Sequence, residues 1–155
     1  MKLAPRPLDR SITYRLHTLT KLSDRVSKIA YESDAGIPWS EGRCLAAIGA
    51  FGPLSVNDLA QRANLNKGPA SRAAQSLVEQ GLVRKVPSVT DGRAVVLTLT
   101  TKGIRAWQKL MLIIERRNAE IVSCFKASEV EHFSRLLDML VEHARKTFPH
   151  VDEDV

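Results

Sequence analysis

The sequence predicts a mainly α-helical fold with one small β-hairpin wing, a winged helix–turn–helix joined to a helical dimerisation region. Three observations predict it. Ser55 to Val83 reads as two short amphipathic helices linked by the tight polar segment Asn64-Leu65-Asn66. Arg84 to Thr100 follows as strand, Asp91-Gly92 turn and strand, with Arg93 at the tip. The flanking helical patterns carry more apolar stripe than a module of this size can cover.

Taken in order, Asp9 is the expected N-cap of a first helix that runs to about Asp34, where Gly36 and Pro38 stop it. Ile12, Leu16, Leu19, Val26 and Ile29 recur along it at helical spacing, with Leu22 on the same broad face. A second helix is expected from Ser40, with Glu41 in its first turn, through Cys44, Leu45, Ile48 and Phe51 to Gly52-Pro53. Ser55 and Asp58 form a capping-box-like start for the third, whose inner stripe is Val56, Leu59, Ala60 and Ala63. The fourth begins around Lys67–Pro69 and ends at Gly81, with Ala70, Ala73 or Ala74, Leu77 and Val78 as its buried line. Leu82–Val86 and Ala94–Thr100 are the expected strands. A long helix follows from about Thr101, carrying Ile104, Trp107, Met111, Ile114, Ile121 and Phe125. The last is expected to open on the capping box Ser128-x-x-Glu131 and carries Phe133, Leu137, Leu140, Ala144 and Phe148.

The organisation expected is therefore a winged region over 39–100, a helical dimerisation region made of 1–38 and 101–150, and an acidic, frayed tail over 151–155. Two chains packed about a twofold axis cover the surplus apolar stripe most economically; a closed monomeric bundle is the alternative.

Composition narrows the function. With 155 residues and 44% apolar content, the chain supports one ordinary core, and its 26% charged residues are mixed in sign. The net charge of +6 favours a polyanionic partner. Between Ser55 and Gly103, seven basic residues (Arg62, Lys67, Arg72, Arg84, Lys85, Arg93, Lys102) face three acidic ones, Asp58, Glu79 and Asp91. Cys44 and Cys124 lie far apart without metal spacing, which fits small apolar thiols in a reducing cytoplasm. His17, His132, His143 and His150 show no metal spacing either, and no G-x-S-x-G, P-loop or GxGxxG occurs, so neither an enzyme nor a bound cofactor is expected. Met1 to Arg10 lacks an apolar core for a secretory leader. Leu110–Ile114 is far short of a membrane span. A cytoplasmic protein is the expectation.

On the fourth helix, Lys67, Ser71, Arg72 and Gln75 project away from the alanine stripe, with Asn66 just before them. Arginine and glutamine suit base edges, which they bond bidentately, whereas Lys67 and Ser71 suit phosphate. A solvated helix face is the plain alternative; the adjoining wing favours DNA for Arg72 and Gln75 and leaves Asn66 evenly balanced. Arg93 fits a narrow minor groove, with Asp91 supporting the tip rather than touching DNA.

Leu59-Ala60-Gln61-Arg62 onward, Leu77-x-x-x-Gly81-Leu82-Val83, Asp91-Gly92-Arg93, and Leu99-Thr100-x-x-Gly103 together resemble the MarR family of bacterial regulators, across about residues 9–148. The resemblance implies a homodimeric winged helix–turn–helix repressor on a pseudo-palindromic duplex, whose affinity falls when a small ligand, often an aromatic acid, binds between its two regions. Two departures stand out. Gly68-Pro69 replaces a hydroxyl residue common at the start of the recognition helix. His17 stands near the position where peroxide-sensing members carry a cysteine.

Candidate effector residues are Arg15, on the apolar face of the first helix, with His17, Trp39 and Arg43. Arg15 needs an anionic partner if buried, either a carboxylate at a subunit contact or that of the ligand; an arginine snorkelling to water is the plain alternative. Competing functions are a winged module that binds protein or unspecific nucleic acid, and redox sensing through Cys44 or Cys124.

Overall fold

Caps and punctuation set the elements. The computed structural model describes residues 7–148; the acidic tail assigned to 151–155 and His150 lie outside them. Within the described residues the order is α1 (Ile12–Ala30), α2 (Trp39–Phe51), α3 (Val56–Arg62), α4 (Lys67–Glu79), β1 (Val83–Pro87), β2 (Val95–Leu99), α5 (Thr101–Ile121) and α6 (Ala127–Thr147). Ser55 caps α3 as expected: its Oγ accepts from Asp58 N at 3.1 Å and donates to the Asp58 carboxylate at 2.9 Å. Gly81 closes α4 at φ 71°, the left-handed conformation that glycine adopts without a Cβ clash. Leu54 exchanges backbone hydrogen bonds with Leu97 at 3.2 and 2.8 Å, widening the base of the wing.

Two predicted caps are corrected. Asp9 sits inside a short 3₁₀ turn, Leu8–Arg10, closed by Arg10 N donating to Pro7 O, and Ser11 caps α1 instead through Tyr14 N. At the other end, Ser128 does not open α6. The Glu129 carboxylate reaches back to Lys126 N at 2.7 Å, which fixes the helix start at Ala127. The wing tip also differs from a two-residue Asp-Gly hairpin. The ladder runs from Val83↔Leu99 to Pro87↔Val95, leaving 88–94 as the loop. Ser88 N donates to Ala94 O at 2.9 Å beyond the ladder, and the turn proper is Asp91–Ala94, with Ala94 N donating to Asp91 O at 3.0 Å.

One core joins α2, α3, α4, the wing base and the first half of α5, with Leu45, Leu59, Leu77 and Leu110 fully buried. Ala70, Ala73 and Ala74 form the small-residue line that lets α4 sit close, as its spacing predicts. Gly103 is needed for a similar approach: a Cβ there would lie 1.8 Å from Leu82 O. Leu110 and Ile113 belong to this core, so the division at residue 100 is one of assigned role, not of packing.

The outer helices are different. Ile12, Leu16, Leu19, Leu22, Val26 and Ile29 of α1 are all exposed, and α6 has no buried residue at all. Phe125, expected on α5, lies beyond its end at Ile121 in the turn before α6, 5.5 Å from Phe133.

Candidate nucleic-acid interface

Burying the alanine line of α4 turns Lys67, Ser71, Arg72 and Gln75 to solvent, with Asn66 at the N-cap beside them. Asn66 makes no side-chain cap bond. The Arg72 guanidinium folds back over Gly68: a Cβ on Gly68 would stand 3.4 Å from Arg72 Nη1. What the helix lacks as a hydroxyl at this position it gains as room for an arginine.

Gln75 is held at both ends. Its Nε2 donates to Glu79 Oε1 at 3.1 Å, and its Oε1 accepts from Lys85 Nζ at 3.0 Å. Lys85 on β1 thus stands beside the exposed face of α4, a placement invisible in the sequence because ten residues and a change of element separate the pair. At the tip, Asp91 Oδ1 accepts from Arg93 N at 3.1 Å, and Ser88 Oγ accepts from Thr90 N and Asp91 N. The aspartate therefore shapes the turn that presents Arg93.

The four effector candidates do not come together. Arg15 is exposed, its Nε donating to Ser11 O at 3.4 Å, the snorkelling outcome rather than the buried one. Among the described residues the stripe it belongs to stays largely exposed. His17 and Trp39 border a cleft of about 570 Å³ with Lys21, Asp24, Arg25 and Lys28. Arg43 instead faces a cavity of about 230 Å³ on the other side of α2, with Arg62, Phe51, Ala47, Met111 and Ile114. Arg43 Nε donates to Ala63 O at 2.8 Å while its guanidinium lies 5.3 Å from the Trp39 ring, and Arg62 stacks over Phe51 at 4.7 Å. Sequence reading missed Arg62 in this role; only the return of the α3 end onto α2 brings it near.

Between α1 and α2 the backbone widens into a π-helical turn, Tyr31–Ala35, with Tyr31 buried against Gly42 and 5.0 Å from Trp39. Burial raises the Tyr31 phenol above its usual range. Asp34 of this turn pairs with Arg116 of α5, and hydrogen bonds from Ser33 and Arg116 lower its carboxyl below the ordinary range. Cys44 is fully buried, its thiol pushed up to about 12 by burial, which removes the thiolate that redox sensing requires. Cys124 is exposed. Among the described residues no cluster of His, Cys, Asp or Glu forms a metal site, and no helix is long and apolar enough to cross a membrane.

A three-helix core, a hairpin wing and an exposed polar helix define a winged helix–turn–helix DNA-binding protein. Residues 35–94 match the model of the MarR family, and the curated relatives that the chain resembles are transcriptional regulators. It is 25% identical over 108 residues to the transcriptional repressor Rv2887 of Mycobacterium tuberculosis, covering 70% of this chain and 78% of that one. Rv2887 in complex with salicylic acid shares the fold at a TM-score of 0.71 and 23% identity, over 90% of this chain and 98% of that one. A MarR family regulator from Silicibacter pomeroyi does so at 0.78 and 23% identity, over 91% and 94%.

Proposed function

We propose that this regulator is a cytoplasmic homodimeric repressor that reads a pseudo-palindromic operator and is released from it by a small aromatic carboxylate. The observation that carries the reading is the exposed face of α4, where Lys67, Ser71, Arg72 and Gln75 stand over a fully buried alanine line beside Lys85 and the wing. In it, Arg72 and Gln75 contact base edges, Asn66, Lys67 and Ser71 position the helix on phosphates, and Arg93 enters the flanking minor groove. A twofold pair of such helices meets major grooves about 34 Å, or roughly 10 bp, apart. The exposed stripes of α1 and α6 supply the surface on which two copies pair.

For the effector, the Arg43 cavity suits a flat anion best. Two guanidiniums, a floor of Ala46, Ala47 and Ala50 and a wall of Met111 and Ile114 combine charge with an apolar slot. The His17–Trp39 cleft is cationic too, through Lys21, Arg25 and Lys28, but it mixes in Asp24 and offers Trp39 as its one apolar wall. Arg15 joins the effector site only if a second copy packs on α1. Salicylic acid bound to Rv2887 supports the ligand class. By linkage, a ligand that weakens DNA binding tenfold binds the DNA complex tenfold less tightly, a coupling of about 1.4 kcal/mol.

Titration of the purified protein with duplex from its own promoter and with scrambled duplex, at physiological salt, tests the central claim. A preference on the order of 10³ or more is expected. Equal affinity for the two overturns it. Release of the promoter by salicylate, lost in Arg43→Ala, tests the effector site.

A further inference from the structure

We propose that Glu41 is a positioning residue for DNA reading: its carboxylate latches α2 to the recognition helix and fixes the rotational setting from which Arg72 and Gln75 project. This rests on the proposed operator reading and adds a residue to it. In sequence, Glu41 is an acidic group in the first turn of α2, where it needs no further purpose than the helix dipole. The structure gives its two oxygens to α4 instead. Oε1 accepts from Ser76 Oγ at 2.7 Å and Oε2 from Gln80 Nε2 at 2.8 Å. Gln80 Nε2 also donates to Ser76 Oγ at 3.1 Å, so the three side chains close a ring in which the hydroxyl and the amide each donate and the carboxylate only accepts. Bonds to an ionised acceptor are the stronger kind, and a ring satisfied at each member holds one arrangement.

The place of the ring on α4 gives it its effect. Arg72, Ser76 and Gln80 follow one another at four-residue spacing and so lie on one stripe of the helix. The latched pair is therefore one and two turns below the arginine assigned to base reading. A turn of roughly 20° about the axis shifts a side-chain tip at the helix surface by about 2 Å, enough to break a bidentate base contact while leaving phosphates in reach. The C-terminal end of α4 has separate anchors: Lys102 Nζ donates to Gln80 O at 2.9 Å and Thr100 Oγ1 to Gly81 O at 2.6 Å. These hold the end of the helix and the buried alanine line sets which face is outward, while the Glu41 ring holds the stripe that carries Arg72. Glu41, Ser76 and Arg72 also line the same cleft of about 520 Å³ between the α1–α2 junction and α4, with Trp39 at its edge. Movement at that junction therefore reaches the recognition helix through Glu41.

Full-length Glu41→Ala, Glu41→Gln, Ser76→Ala and the Glu41→Ala/Ser76→Ala pair are measured for affinity to promoter and scrambled duplex across salt, with amide exchange followed along α4. Glu41→Ala is expected to lower promoter affinity roughly tenfold, with scrambled-duplex affinity and salt slope unchanged and exchange in α4 faster. Glu41→Gln keeps most of the preference, because Gln80 can turn its amide to accept. The double variant loses no more than Glu41→Ala alone, as expected for members of one ring. Equal losses on both duplexes, or an unchanged preference, overturn the proposal. If the wild type shows no promoter preference, the operator reading fails on its own, and unchanged exchange in α4 of Glu41→Ala then overturns the latch separately.

Discussion

Leu77 and Leu140 are both leucines on amphipathic helices, yet one is 0% exposed and the other 50%. The first belongs to α4, whose stripe meets α2, α3 and the wing base within the chain. The second belongs to α6, where among the described residues no side chain is buried and only Phe133 makes a ring contact, with Phe125. Since full burial of such a side chain contributes about 1.5–3 kcal/mol, the run of exposed ones along α1 and α6 is the surface on which the proposed pairing of two copies rests. The winged region folds against itself, whereas the outer helices keep their apolar stripes exposed. In the proposed regulator this division separates where DNA is read from where copies pair, with α5 running through both.

Breaking the outer stripe gives the largest expected effect. Leu140→Glu places a carboxylate in the proposed pairing surface of each copy, and symmetry doubles the insult. Leaving an unpaired charge there costs several kcal/mol, so dimer dissociation should rise by on the order of 100-fold or more, read by sedimentation. Operator affinity falls with it, while the melting of the winged core shifts little. An unaltered dimer would place the pairing surface elsewhere. Within the core, Leu77→Ala should instead cost about 2–5 kcal/mol of folding stability, measured by urea denaturation, and leave the assembly intact at low denaturant. Each variant sharpens the contrast by failing on the other's assay.

A smaller effect is expected where neither stripe is touched. Arg72→Ala should cost about 1–3 kcal/mol of operator binding and relax specificity at one base position, while Lys67→Ala weakens all duplexes alike and lowers the salt slope. If Arg72→Ala also weakens every duplex equally, the arginine contacts phosphate and the base-reading role passes to Gln75.

How much of this was legible in the sequence differs between the same two regions. The α4 line of Ala70, Ala73, Ala74 and Leu77, the Ser55 cap and Gly81 are local patterns, and local patterns survive folding. Asp9 and Ser128 failed as caps because each had a close competitor, Ser11 and Glu129, and which one wins depends on a single turn of backbone. The Asp91-Gly92 pair was legible as a turn but not as part of the 88–94 loop, whose shape is set by Ser88 Oγ accepting from Thr90 N and Asp91 N, bonds with no sequence pattern. The phase of Arg15 on α1 left two outcomes, burial beside an anion or snorkelling to water, and among the described residues it lies exposed. Contacts between distant elements, Lys85 with Gln75 and Glu41 with Ser76, had no sequence signal, because a pair of polar residues ten or thirty-five positions apart is indistinguishable from two solvated ones.

The smallest expected effect concerns the buried thiol and bears on the redox alternative. Cys44 lies in the core with its Sγ 4.0 Å from Ala70 O, and burial holds its thiol at about 12 against an ordinary value of 9.0, more than the nearby Arg43 lowers it. Below pH 9 the thiol is protonated in folded and unfolded chains alike, so it adds no pH dependence. Between about 9 and 12 the unfolded chain gives up the proton while the folded one keeps it, and stability falls as pH rises. Tyr31 has the same sign but begins higher, from 10.0, so the window between pH 9 and 10 isolates the cysteine. Cys44→Ala should therefore flatten the loss of stability across that window, read from urea midpoints, with little change at pH 7. In the folded protein Cys124, which is exposed, should react rapidly with a thiol reagent, and Cys44 only at the rate of unfolding. Equal labelling of both thiols in the native state would mean that α2 opens readily beneath α4, and it would restore Cys44 as a candidate sensor.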